Sequence, residues 1–304
     1  MDIFPQILLS GASGLVGRAL HNHFVAQGIA CATLVRDTPE PGKAAYYWDP
    51  YHFEFRETMR RLNGIRAAIH LSGDNLADGR WTKAKKQRIR QSRVRTTQSL
   101  VEMLSRLDQR PEVLLCASAV GFYGDRGEEV LTEESAPGKG FLAEVCQEWE
   151  AAAQAASSLG IRVIHLRFGM ILSRKGGALA KILPLFRMGL GGNLGNGRQW
   201  MSWIDLPTIL EIVDFCMNRH QLEGPVNVVA NPVTNAEFTL MLGRHLHRLA
   251  IAPVPAFALH TAFGAMADAA LLSSTRVVPA RLLQAGFQFQ RPTLLDALQE
   301  ILPR

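Results

Sequence analysis

The sequence predicts an α/β fold, a doubly wound and mainly parallel sheet with a smaller C-terminal lobe, and three observations carry the prediction. The first is the stretch Ile7-Leu8-Leu9-Ser10-Gly11-Ala12-Ser13-Gly14-Leu15-Val16-Gly17-Arg18, where an apolar run leads into three glycines and then a helical pattern. The second is the return of short apolar runs at residues 30–35, 65–71, 113–117 and 162–167, separated by segments of helical period. Strands buried on both faces read as unbroken apolar runs, and helices between them make the sheet parallel. The third is bulk: 304 residues, 47% hydrophobic and 20% charged, suffice for one large domain or two small ones with ample core.

The opening strand, glycine turn and helix form a phosphate cradle. Residues without side chains let backbone N–H groups approach a pyrophosphate, and the helix N-terminus adds a favourable dipole. Gly11, Ser13, Gly14, Leu15, Val16 and Gly17 are therefore candidate cofactor contacts. The second strand, 30–35, ends in Val35, Arg36 and Asp37, where this fold meets the adenosine ribose. A carboxylate there accepts the 2′-hydroxyl of NAD, whereas an arginine fits the 2′-phosphate of NADP. Arg36 comes first, which favours NADP.

Residues 39–50 read as loop and 55–62 as a short helix. The third strand, 65–71, ends in Leu71-Ser72-Gly73, whose small residues let backbone lie close to the adenosine side. His70 inside it reads as a satisfied core histidine. His245 and His247 stand two apart in a helical pattern and so face apart, and no metal is expected. Cys31, Cys116, Cys146 and Cys216 form no Cys-x-x-Cys pair and read as buried free thiols in a reducing cytoplasm.

Residues 83–95 are the most basic stretch, with Lys83, Lys85, Lys86, Arg88, Arg90, Arg93 and Arg95. Read as a helix, Ile89, Thr96, Thr97, Leu100, Val101 and Leu104 form an inward stripe that leaves most cations in solvent, with one or two arginines turned toward the phosphates. No aromatic platform accompanies them, so nucleic acid is not an expected partner. The fourth strand, 113–117, ends at Ser118 and runs through a small-residue turn to Tyr123. A hydroxyl at that strand edge faces the nicotinamide in this fold, so Ser118 and Tyr123 are the candidate catalytic residues. Asp125 and Glu133 lie in a stretch, 125–139, that reads as exposed loop. A helix over 141–156 and a strand over 162–167 follow.

The sequence resembles the extended short-chain dehydrogenase/reductases. Within them it is similar to the atypical group labelled "epimerase family protein". The resemblance runs through Gly11-x-x-Gly14-x-x-Gly17, Leu71-Ser-Gly-Asp-Asn75, Arg80-Trp81-Thr82, Ser92-Arg93-Val94, Ser118-Ala-Val-Gly-Phe-Tyr-Gly124 and 141–151. It continues through Arg167-Phe-Gly-Met-Ile-Leu172, Gly189-Leu-Gly-Gly192, Gln199-Trp-Met-Ser-Trp-Ile204, 271–277 and 286–289. It implies NADP contacts at Val35, Arg36, Leu71, Ser72, Arg93 and the turn from Arg167 to Ile171, and the small-residue strand end adds Gly73 as a candidate contact. Active members of the superfamily carry Tyr-x-x-x-Lys on the helix after the Ser/Thr strand, the tyrosine moving a proton and the lysine lowering its pKa. Here the equivalent positions are Phe141 and Val145, so the usual proton-transfer pair is missing.

Beyond residue 172 the pattern changes. Trp200 and Trp203 fall in the stretch that lines the substrate pocket of extended members, and Arg276 and Arg281 lie in the C-terminal lobe. The expected division is 1–172 plus 205–230 for the dinucleotide-binding Rossmann domain and 173–204 plus 231–304 for a substrate lobe. The leading functional expectation is an NADP(H)-dependent oxidoreductase or epimerase-like enzyme on a small molecule. The rival is a non-catalytic NADP(H)-binding sensor or partner-docking protein. The absence of an 18-residue apolar run and of a leader predicts a cytoplasmic protein with no membrane partner. The charged first helix of the usual dimer face predicts a monomer or weak homodimer.

Overall fold

The structure is a computed structural model that describes residues 5–39 and 44–303. Part of the segment expected as loop, 40–43, lies outside the described residues. In chain order the elements are β1 (Ile7–Ser10), α1 (Leu15–Ala26), β2 (Cys31–Val35), β3 (Ala45–Tyr47), β4 (Ala67–His70), α2 (Lys83–Ser105), β5 (Val113–Ala119) and β6 (Val130–Leu131). They continue with α3 (Phe141–Gln154), β7 (Arg162–Phe168), β8 (Met170–Leu172), α4 (Gly177–Arg187), β9 (Trp200–Met201), β10 (Trp203–Asp205) and α5 (Leu206–Asn218). The last are β11 (Gly224–Val228), β12 (Val233–Thr234), α6 (Asn235–His245), α7 (Ala256–Phe263), β13 (Arg276–Val277), α8 (Ala280–Gln284) and α9 (Leu294–Ile301).

Seven strands form one parallel sheet in the order β11-β7-β5-β4-β1-β2-β3. Strand β3 lies in the segment expected as loop; Tyr46 and Tyr47 extend the sheet edge beside Leu34 and Val35. Successive residues of β1 feed opposite layers. Ile7 and Leu9 join a cluster with Leu20 and Phe24 of α1 and Ile209 and Ile212 of α5. Leu8 joins another with Leu100 and Leu104 of α2 and Trp149 of α3. Burial on both faces is why β1 reads as an unbroken apolar run.

One buried polar pair joins two central strands. His70 is fully buried, and its Nδ1 lies 2.6 Å from the Ser10 hydroxyl, tying β4 to β1. Burial pulls its imidazole down to about 3, so it stays neutral. All four cysteines are free and buried, with thiols pushed up to about 11 or 12. Among the described residues no helix is long and apolar enough to cross a membrane.

The C-terminal segment folds back onto the sheet end. β13 pairs in parallel with β6, α9 packs on α6, and Leu294, Leu298 and Ile301 enter the same core cluster as α1 and α5.

Candidate functional site

The carboxyl ends of β1, β2, β4 and β5 lie along one edge of the parallel sheet, the edge where this fold class forms its ligand cleft. Gly11 leaves β1 at φ +72, a conformation that glycine adopts freely. A Cβ there would stand 2.7 Å from the Leu71 carbonyl carbon and 2.9 Å from the Ser72 nitrogen. A Cβ at Gly17 would stand 2.2 Å from the Gly11 oxygen. The turn is thus pressed against the end of β4 and against the first turn of α1, and only glycine permits both contacts. The Gly14 N–H donates to the Gly11 carbonyl at 3.0 Å. α1 begins at Leu15 with no side-chain cap, so its first amides keep no side-chain acceptor. This is a cradle that a Cβ would fill, and it fits a dinucleotide diphosphate.

Ser13 and Gly14 are exposed, whereas Leu15 and Val16 are half-buried. Gly177, at the head of α4, sits against Leu15, and a Cβ on it would lie 3.4 Å from the Ile171 carbonyl. Ile171 is thereby brought to the same mouth. Val35 is the last residue of β2, and Arg36 follows it, exposed and with no ion pair among the described residues.

The loop after β4 is stapled to α2 by three side chains. The Asp74 N–H donates to Ser92 Oγ at 2.9 Å. Arg93 donates to the Asp74 carbonyl at 3.2 Å, packs over the Trp149 ring and backs Gly73. Lys85 donates to the Asp74 carboxylate at 2.8 Å and to the Asn75 carbonyl at 2.7 Å. Lys85 is only 3% exposed, so this member of the basic stretch does not face solvent.

Three of the expected site residues, Ser118, Tyr123 and Arg167, meet under the end of β5. Ser118 is buried, and its hydroxyl donates to Glu150 Oε1 at 2.7 Å. Arg167 stands beside it in register on β7 and grips Glu150 through Nε and Nη2, each at 2.8 Å. Its remaining nitrogen donates to the Tyr123 hydroxyl at 2.8 Å, and its guanidinium lies 3.5 Å from the centre of the Phe122 ring. Burial opposes the charge, yet the bonds and charge of Glu150 hold the Arg167 pKa above its ordinary value. Tyr123 is fully buried and donates to Asn227 Oδ1 at 2.7 Å; burial pushes its phenol up, against the pull of Arg167. Ser118 and Tyr123 thus donate their hydroxyl protons to internal partners, and Arg167 is a buried cation with every nitrogen engaged.

The reading of Glu133 as an exposed loop residue is corrected. It is 5% exposed and receives the backbone N–H of Asn227 at 3.0 Å and of Arg281 at 3.3 Å. Sequence reasoning missed Glu150, Asn227 and Lys85. The signal for Glu150 was present: Ala143, Cys146, Glu150 and Ala153 share one helical stripe, and three of the four are small or apolar.

The positions of the missing pair are filled by packing. Val145 is 1% exposed, and Phe141 stacks edge-on against Trp81 with ring centres 5.5 Å apart. Trp81, Ile89 and Met266 close over Phe141 as a separate apolar cluster. Trp203 is core, whereas Trp200 is half-buried, donates to Glu128 at 2.6 Å and carries Arg276 4.1 Å from its ring centre. Arg281 is engaged by Glu134 and by the carbonyls of Glu223 and Pro225.

A parallel doubly wound sheet with a glycine cradle at the end of its first strand defines a Rossmann-type dinucleotide-binding protein. The profile of the "NAD dependent epimerase/dehydratase family" matches residues 7–229, and "Domain of unknown function (DUF1731)" matches residues 254–301. The chain belongs to the NAD-dependent epimerase/dehydratase family. It is 39% identical over 293 residues to "Epimerase family protein Mb2239" of Mycobacterium bovis, covering 96% of each chain. The crystal structure of human epimerase family protein SDR39U1 (isoform2) with NADPH superposes with a TM-score of 0.87 at 30% identity, over 97% of this chain and 98% of that one. A nucleoside-diphosphate sugar epimerase from Corynebacterium glutamicum superposes with a TM-score of 0.79 at 35% identity; it covers 98% of this chain, which spans 58% of that longer one.

Proposed function

We propose that the chain binds NADP(H) in the glycine cradle and acts on a small molecule as an oxidoreductase or epimerase-like enzyme without a Tyr-x-x-x-Lys pair. One observation carries the reading: Arg36 holds an exposed guanidinium with no ion pair among the described residues, one position beyond β2 and beside the cradle. A 2′-phosphate is the group that such a guanidinium recognises. The human relative solved with NADPH supports it. When bound, the nicotinamide supplies the hydride chemistry. The chain's own part is to hold the diphosphate with the first amides of α1, to fix the loop after β4 through Lys85, Ser92 and Arg93, and to keep water out under Phe141 and Trp81.

A second reading, a non-catalytic NADP(H)-binding sensor or docking protein, draws on the inward-turned hydroxyls of Ser118 and Tyr123. Paired titrations with NADPH and NADH, followed by tryptophan fluorescence, test the cofactor. NADPH should bind more tightly, and Arg36→Ala should weaken it about ten- to a hundredfold while leaving NADH nearly unchanged, as loss of a charge-assisted hydrogen bond requires. No affinity for either coenzyme overturns the cradle reading, and a preference for NADH overturns the role of Arg36. Oxidation of NADPH by a member of a carbonyl or sugar-nucleotide library separates the enzyme from the sensor.

A further inference from the structure

The face formed by the end of α4 and the segment after α6 has an unusual composition. No aspartate or glutamate occurs between Glu150 and Asp205, or between Glu237 and Asp268. The two acid-free stretches meet in space. Arg248 Nε donates to the Arg187 carbonyl at 2.9 Å, the Ala252 N–H to the Gly191 carbonyl at 3.1 Å, and the Val254 N–H to the Asn193 carbonyl at 2.8 Å. This pairing sets Met188 and Leu190 beside Leu249 and Ile251, and these side chains are 62%, 57%, 72% and 75% exposed. Arg187, Arg244, His247 and Arg248 are exposed around them.

The backbone is built to present this group. α6 ends with His247 at φ +53, a left-handed position without glycine. The His247 N–H reaches the Arg244 carbonyl and the Arg248 N–H the Gly243 carbonyl, closing a Schellman turn. The turn reverses the chain and sends Leu249 and Ile251 outward, while Ala250 between them packs inward.

Aliphatic side chains that stand clear of their neighbours, ringed by cations with no nearby carboxylate in either stretch, match an anionic surface with an apolar interior. We propose that this face docks on an anionic membrane surface, the aliphatic side chains entering between headgroups and the arginines meeting lipid phosphates. The expectation of no membrane partner rested on the lack of a spanning segment, and a protein that lies on a bilayer needs none.

Co-sedimentation with vesicles tests it, using phosphatidylcholine alone and phosphatidylcholine mixed equally with phosphatidylglycerol. The chain should sediment with the mixed vesicles only, and less so as salt rises. Ile251→Asp and Arg244→Glu should each weaken partitioning about tenfold. Both positions are exposed, and unchanged thermal unfolding of each variant shows that its fold is intact. Failure to bind mixed vesicles, equal binding to both kinds, or full binding by Ile251→Asp overturns the proposal. Light scattering in which Ile251→Asp converts a dimer to a monomer overturns it as well, because the face is then a contact between two copies.

Discussion

Glu150 answers for two buried groups at once. Its carboxylate takes the Ser118 hydroxyl and the Nε and Nη2 of Arg167 while only 11% of its side chain is exposed. In Glu150→Gln the Arg167 guanidinium, itself 4% exposed, keeps its charge without a counter-charge. Removing one partner of a buried pair costs about 3–5 kcal/mol, and urea unfolding should show a loss of that size. A loss below about 1 kcal/mol contradicts the buried-pair reading. His70 sets a pH dependence. Its folded pKa is about 3, below the reference value of about 6.5 in an unfolded chain. The unfolded state therefore binds the proton first, and stability present above pH 6.5 is lost as pH falls toward 3. Near pH 5 the loss from this residue is about 2 kcal/mol, at about 1.4 kcal/mol per unit. Denaturation midpoints of the native chain should fall over that window more steeply than those of His70→Gln.

At the scale of the element, α3 shows where the family's usual chemistry has been traded for packing. Val145 is buried, so an ammonium placed there enters an apolar layer rather than the cleft. Val145→Lys should lower stability by about 3 kcal/mol or more, the cost of burying an unpaired charge, and thermal unfolding checks it. A variant as stable as the native chain means that the position opens onto the cleft. What the sequence disclosed about these elements follows the range of the contacts that define them. Gly11, Gly14, Gly17 and Arg36 were legible because a turn, a helix start and a strand end are local events with local residue requirements. Phe141 and Val145 were legible as an absence, for the same reason. Tyr123 with Asn227 and Glu133 with Arg281 join residues 104 and 148 positions apart. No local period encodes such a meeting, so Glu133 passed for an exposed loop residue and the partners of Tyr123 went unseen. Strand β3 escaped because it is three residues long and edge-placed, with too little alternation to register.

For the whole molecule, the sheet supplies a rigid platform and the segments that return to it decide which groups face the cleft. Both layers of helices are anchored in the apolar runs that predicted the fold. The polar network beneath β5 instead joins β7, α3, β11 and the C-terminal segment, so it exists only after distant parts of the chain have assembled. Tyr123 is enclosed within it, so cofactor binding and turnover are separate measurements.

The clamp at Glu133 has a consequence for how the gene can be cut. Its carboxylate serves the amides of Asn227 and Arg281, and Asn227 in turn reaches the Val278 carbonyl. A fragment stopping near residue 253 would keep most of the platform yet strip these acceptors and donors of their mates and bare the ground under Leu294 and Leu298. Such a fragment should collect in inclusion bodies, while the entire chain expresses in the supernatant. The two family-matched stretches thus share buried hydrogen bonds and one apolar core, and are expected to fold as one unit.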